Sequence, residues 1–173
     1  KRHFTIVSRQ HQQQQIRPYY GDMLDFAEHL DRMFIFYNGP LCGASAPDHM
    51  HFQAGPKEQL PTTCLSKHYE IRAATKQEMV ERFNEVYDKL PVVGDENEPR
   101  MNVLTWKDAD EFVSIVIPRT KHRPACYEAK EDTQILVSPG ALDMAGLMIV
   151  PRAEDFNRFT PEMVENIIKE CGV

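Results

Sequence analysis

The segment NGPLCGASAPDHMHFQAG, Asn38 to Gly55, sets three nitrogen-bearing side chains at alternate positions behind a loop of small residues. Read as an extended strand, HMHFQ sends His49, His51 and Gln53 to one face and Met50 and Phe52 to the other. Such a pattern suits a metal site, a phosphate-handling site or an ordinary polar strand face. Each asks something different of its neighbours. Two His at i and i+2 can share a metal, but tetrahedral zinc needs further ligands. Cys42, Asp48, Cys64 and His68 are near in sequence, and none stands at a diagnostic spacing.

A phosphate site is better supplied. Gly39 and Gly43 allow backbone N–H groups to approach an anion, and Ser45 adds a short hydroxyl donor. An imidazole is a competent nucleophile toward phosphorus near neutral pH, because much of it is unprotonated there. Gln53 offers a neutral amide donor that stabilises developing charge without titrating.

The remainder of the chain bounds these choices. Its 173 residues suffice for one domain or two small halves sharing a core. Apolar content of 42% with 27% charged residues is ordinary for a globular protein. A net charge of −6 argues against nucleic-acid binding through bulk electrostatics. No apolar run approaches the ~20 residues that span a bilayer. The four cysteines form no CxxC pair, which fits a reducing, cytoplasmic setting. The chain opens KRHFTIVSRQ, with neither an initiating Met nor a signal-peptide pattern, so further N-terminal sequence is expected upstream.

Periodicity gives an α+β order, mainly antiparallel. HFTIVS (3–8), FIFYN (34–38), HMHFQA, MNVLTWK, EFVSIVIPR and LMIVPR (147–152) read as strands. MNVLTWK and EFVSIVIPR pair as a hairpin through a polar DAD. Helices are predicted over 22–33 behind Asp22, over 75–90, and over 160–170 with Thr160 as N-cap and Pro161 in the first turn. RQHQQQQIRPYYG is a Gln-rich loop. The acidic GDENEPR (94–100) is the clearest internal boundary. FTIVSRQH and LMIVPRAED each lead from a strand through a loop into a helix, a faint internal echo.

NGPLCGASAPDHMHFQ resembles the signature of the histidine-triad superfamily, in which N-x-G…G-x-S precedes H-φ-H-φ-H/Q. Gln53 in the last position is similar to the transferase branch: galactose-1-phosphate uridylyltransferases, dinucleoside tetraphosphate phosphorylases and GDP-L-galactose phosphorylases. FTIVSRQH is similar to the family's strand ending in a basic residue and His. PACYEAK and ILVSPGALDMAGLMIVPRAEDF resemble the C-terminal half of GDP-L-galactose phosphorylase-like bacterial proteins. Asp48 stands as an extra residue between Pro47 and His49 relative to uridylyltransferase patterns, which leaves the subgroup open.

The resemblance implies a histidine-triad-like antiparallel sheet with flanking helices. Residues 1–95 would form the half carrying the motif, truncated at its N-terminus, and 96–173 a degenerate second half, the two compatible with one continuous domain. It implies a nucleotidyltransferase or phosphorylase acting on a nucleotide sugar or dinucleoside polyphosphate, with phosphate or a sugar phosphate as acceptor. His51 would be the nucleophile, His49 a supporting residue or structural-metal ligand, and Gln53 a hydrogen-bond donor to the transferred phosphate. Asn38, Gly43 and Ser45 take the phosphate-loop positions. No other cofactor is implied, and a homodimer is compatible with the family.

The densest basic cluster, PRTKHRP (118–124), supplies Arg119, Lys121, His122 and Arg123. Arg119 and Lys121 are expected to bind the outer phosphates, unless the cluster is a solvated strand end. Three rivals remain on the residues alone: a hydrolase with water as acceptor, a non-catalytic nucleotide-binding module, and a metal-dependent protein using His49 with Cys42 or His68.

Overall fold

A computed structural model describes residues 3–173, the side chain of Glu131 excepted. Lys1 and Arg2, where the first predicted half begins, lie outside the described residues. Six strands are formed: β1 (Phe4–Val7), β2 (Met33–Asn38), β3 (His51–Pro56), β4 (Tyr69–Ala73), β5 (Met101–Asp108) and β6 (Glu111–Pro118). They make one antiparallel sheet in the order β1-β3-β2-β5-β6-β4. β2 pairs with β5 from Ile35↔Thr105 to Asn38↔Asn102, so the sheet runs without a break across the acidic loop at 94–100. The α+β fold with an antiparallel sheet and flanking helices is as the sequence implied.

Strand alternation divides the sheet into two unlike faces. One carries Ile35, Tyr37, Phe52, Ala54, Val103 and Phe112 beneath α1 (Tyr20–His29) and α2 (Lys76–Tyr87). Tyr20 and Phe83 stack there with ring centroids 3.9 Å apart. Thr75 caps α2, its side chain accepting from the Glu78 N–H at 3.2 Å. α1 begins earlier than predicted, after a short 3-10 turn at Arg17–Tyr19, so Asp22 lies in its first turn and does not cap it.

The other face carries Phe34, Phe36, Leu104, Ile115 and Ile117. It is covered by C-terminal segments: α3 (Ala125–Glu128), α4 (Ala141–Ala145), α5 (Ala153–Arg158) and α6 (Pro161–Cys171) follow in order, and α4 and the end of α6 supply its apolar cover. Thr160 caps α6 as predicted, accepting from Met163 N–H. The strand predicted at 147–152 does not form. Leu147 N–H bonds back to Leu142 C=O, and Ile149 N–H to the Asp143 carboxylate at 2.7 Å. Those bonds fold the segment against α4 and take two of its N–H groups away from any sheet pairing. No helix among the described residues is long and apolar enough to cross a membrane.

Candidate active site

β3 runs in the middle of the site, between β1 and β2. Phe36 pairs with Gln53, and the next non-adjacent position of that register would set Asn38 opposite His51. The strands part before that rung, and a side chain completes it. The Gln14 amide donates to Asn38 C=O at 2.9 Å and to His51 C=O at 3.0 Å, while its oxygen accepts the His51 N–H at 2.8 Å. A carboxamide presents the same donor and acceptor as a peptide group, so it stands in for the missing backbone. Gln14 is 1% exposed. Nothing in a run of four glutamines distinguishes the one that does this.

The opened rung sets the His51 imidazole. Its Nδ1 lies 2.8 Å from the His49 carbonyl. A carbonyl only accepts, so Nδ1 carries the proton and the Nε2 lone pair is free. Nε2 has no hydrogen-bond partner among the described residues, and His51 is 5% exposed. His49 precedes the strand and sits in a bend, so the three side chains do not form one regular strand face. Its Nε2 donates to Ser8 C=O at 2.9 Å, and its ring meets that of His11 edge-on at 5.0 Å. Among the described residues no three His, Cys, Asp or Glu side chains gather as a metal cluster.

Two residues on from His51, Gln53 lines a cavity of about 430 Å³ together with Asn38, Gly43 and Ser45. His3, Phe36, Tyr127, Ser138 and Asp143 complete much of the wall. Gly43 has φ +94°, and a Cβ there would lie 2.7 Å from Gly140 Cα. The loop therefore meets the C-terminal segment backbone to backbone. Asn38 ties the two together: its Oδ1 accepts from Ala141 N–H at 2.7 Å and from the Asn102 amide at 2.9 Å. A Cβ on Gly140 would press on that amide at 3.0 Å. Asp143, its pKa raised by burial, accepts from Gly140 N–H and Ile149 N–H. The fully buried Asp155 accepts from Leu136 N–H, Arg152 and Arg158, and these cations hold its pKa below the usual carboxylate range.

The predicted phosphate-binding cations go elsewhere. Arg119 is buried and has all five N–H groups engaged: Nε with Cys171 C=O, Nη1 with Asn102 Oδ1 and Pro139 C=O, Nη2 with the carbonyls of Lys121 and His122. None is left for a ligand; its work is to fix the segments around the cavity. Lys121 reaches Glu170 at 3.2 Å on the surface. His3, unremarkable in sequence, is in the site instead. Its Nε2 is 3.0 Å from the Gln53 Oε1, and its ring stacks on Phe36. A donated hydrogen bond from His3 turns the Gln53 NH₂ group toward whatever else occupies the cavity.

A family model described as a domain of unknown function (DUF4922) matches residues 1–56, the part that contains the loop and motif. No curated protein matches the chain. Among solved structures, yeast Ap4A phosphorylase Apa2 superposes with a TM-score of 0.59 at 18% sequence identity, over 98% of this chain and 70% of that one. The two share a fold, and it is the histidine-triad-like fold that the motif implied.

Proposed function

We propose that this chain is a nucleotidyltransferase of the phosphorylase type, working on a dinucleoside polyphosphate or a nucleotide sugar. The observation that carries the proposal is the His51 imidazole: Nδ1–H bound to the His49 carbonyl, Nε2 unpartnered among the described residues, two positions along β3 from Gln53, which lines a cavity with Ser45 and Gly43. The likeness in fold to a phosphorylase named for Ap4A supports it.

In the first step the Nε2 lone pair attacks the α-phosphorus. The P–N bond forms as the P–O bond to the remainder of the substrate breaks, and that oxygen leaves with the electron pair. In the second, an oxygen of the acceptor phosphate attacks the same phosphorus, and the P–N pair returns to Nε2. Covalent catalysis thus divides one displacement into two. The His49 carbonyl stabilises the positive ring formed in the first step. Gln53, oriented by His3, and the Ser45 hydroxyl donate to the phosphoryl oxygens, where charge grows. Arg119 acts at a distance, and Asn38 from within the lining, by holding the cavity walls.

Incubation with dinucleoside tetraphosphates in the presence and absence of inorganic phosphate tests this reading. The expected products are a nucleoside diphosphate and a nucleoside triphosphate, formed only with phosphate. A monophosphate and a triphosphate formed equally well without it would identify a hydrolase. Binding with no turnover would leave a nucleotide-binding module.

A further inference from the structure

The sheet-facing cavity has an electrostatic gap: none of the described residues lining it is Lys or Arg. A phosphate dianion held in the site needs a cation or a dense set of donors. Of the basic cluster at 119–123, Arg119 has spent its donors and Lys121 is paired with Glu170. Burial lowers the His122 pKa, which disfavours the charged ring.

Arg123 is arranged differently. Its guanidinium lies over the Tyr127 ring, 4.1 Å from the centroid, and its Nε donates to Ser138 Oγ at 3.2 Å. Tyr127 and Ser138 both line the cavity. The ring and the serine fix the plane of the guanidinium. Nη1 and Nη2 have no partner among the described residues, so the fork that grips a phosphate bidentately is preset and vacant of protein contacts.

We propose that Arg123, held by Tyr127 and Ser138 at the edge of the cavity, binds the phosphate dianion of the acceptor, either inorganic phosphate or the phosphate of a sugar 1-phosphate. The assignment as acceptor subsite rests on the nucleotidyl-transfer reading above; the anion site does not. Arg123 aligns one acceptor oxygen and leaves it to attack phosphorus, while its positive charge offsets the repulsion between two phosphoryl groups. Tyr127 is then a positioning residue, acting through the guanidinium.

Titration of the full chain with inorganic phosphate and, separately, with a hexose 1-phosphate, followed by ³¹P NMR, tests the site. Arg123→Ala is expected to weaken binding about tenfold or more. Arg123→Lys, which keeps the charge and loses the fork, should fall between. Tyr127→Phe should bind as wild type, and Tyr127→Leu should weaken binding without touching the charge. Saturable binding of one probe alone would name the acceptor. Arg123→Ala binding as wild type, with an unchanged melting temperature, would overturn the proposal, as would wild type that binds neither probe at millimolar concentration. Absence of a nucleotidyl adduct on wild-type His51, with Arg123-dependent phosphate binding intact, would remove the transfer reading and keep the anion site. Adduct formation with phosphate binding indifferent to Arg123 would do the reverse.

Discussion

The two faces of β3 are built from adjacent residues by opposite rules. Phe52 and Ala54 point into a continuous apolar core under α1 and α2, where Tyr20, Met79 and Phe83 are almost wholly buried. His51 and Gln53, one position away, belong to the face roofed by loops and short helices, where the side chains Gln14, Asn38, Asn102, Arg119 and Asp143 replace missing backbone partners. Packing is non-directional, so the first face needs only the right period and volume. The second needs named donors opposite named acceptors, and most of those come from far along the chain.

Substitutions on the two faces should therefore fail in different ways. The largest effect is expected from His51→Ala: turnover should fall by about 10³-fold or more, with stability changed far less than by a core truncation. A comparable loss of melting temperature would erase the distinction. On the apolar face, Phe83→Ala removes the ring stacked on Tyr20 and should destabilise by about 3–5 kcal/mol, measured by denaturant titration, while folded protein keeps its activity.

Gln14→Ala lies between the two. It strands the His51 N–H and two carbonyls, and about 2–3 kcal/mol of stability should go with them. Because the same bonds seat the proposed nucleophile, kcat should fall even in the fraction that remains folded. Loss of stability alone would make Gln14 a mere structural rung.

Glu98 gives a comparison by pH. It is buried against the Tyr37 hydroxyl and Ile16 N–H, and burial raises its pKa from 4.5 to about 7. The native state then holds a proton that the unfolded chain has released. Its stabilising contribution is complete below about pH 4.5, declines as pH rises to about 7, and is flat above, with a total on the order of 3 kcal/mol. Glu98→Gln should remove that slope from urea midpoints measured between about pH 5 and pH 8. At the small end, Asp88→Asn breaks an exposed pair with Arg17 and should shift stability by less than about 1 kcal/mol.

The same contrast explains what the sequence disclosed. Alternation and helical period located five of the six strands and the helices of the core face, because burial imposes those patterns locally. The H-x-H-x-Q run with its Gly/Ser loop pointed to the candidate site because its residues stand together in the sequence. LMIVPR reads as a strand by composition and is not one, since side-chain and backbone acceptors in α4 capture the Leu147 and Ile149 N–H groups. YEIRA is not among the expected strands, and it is β4 because β6 offers it an edge. Arg119 shows the limit most clearly. A basic residue at a strand end suggests a phosphate ligand, and only the fold reveals that Asn102, Pro139 and Cys171 have already claimed it. Gln14 and His3 were unmarked because their partners, at His51 and Gln53, lie 37 and 50 residues away.

Intact-protein mass spectrometry tests the central claim most directly: wild type and His51→Ala incubated briefly with dinucleoside polyphosphates and nucleotide sugars, without phosphate and away from acid. The account predicts a mass increase of one nucleotidyl group on wild type, lost in the variant and discharged when phosphate or a sugar phosphate is added. The same adduct on His51→Ala, or none on wild type under conditions where the substrate is being turned over, would contradict it.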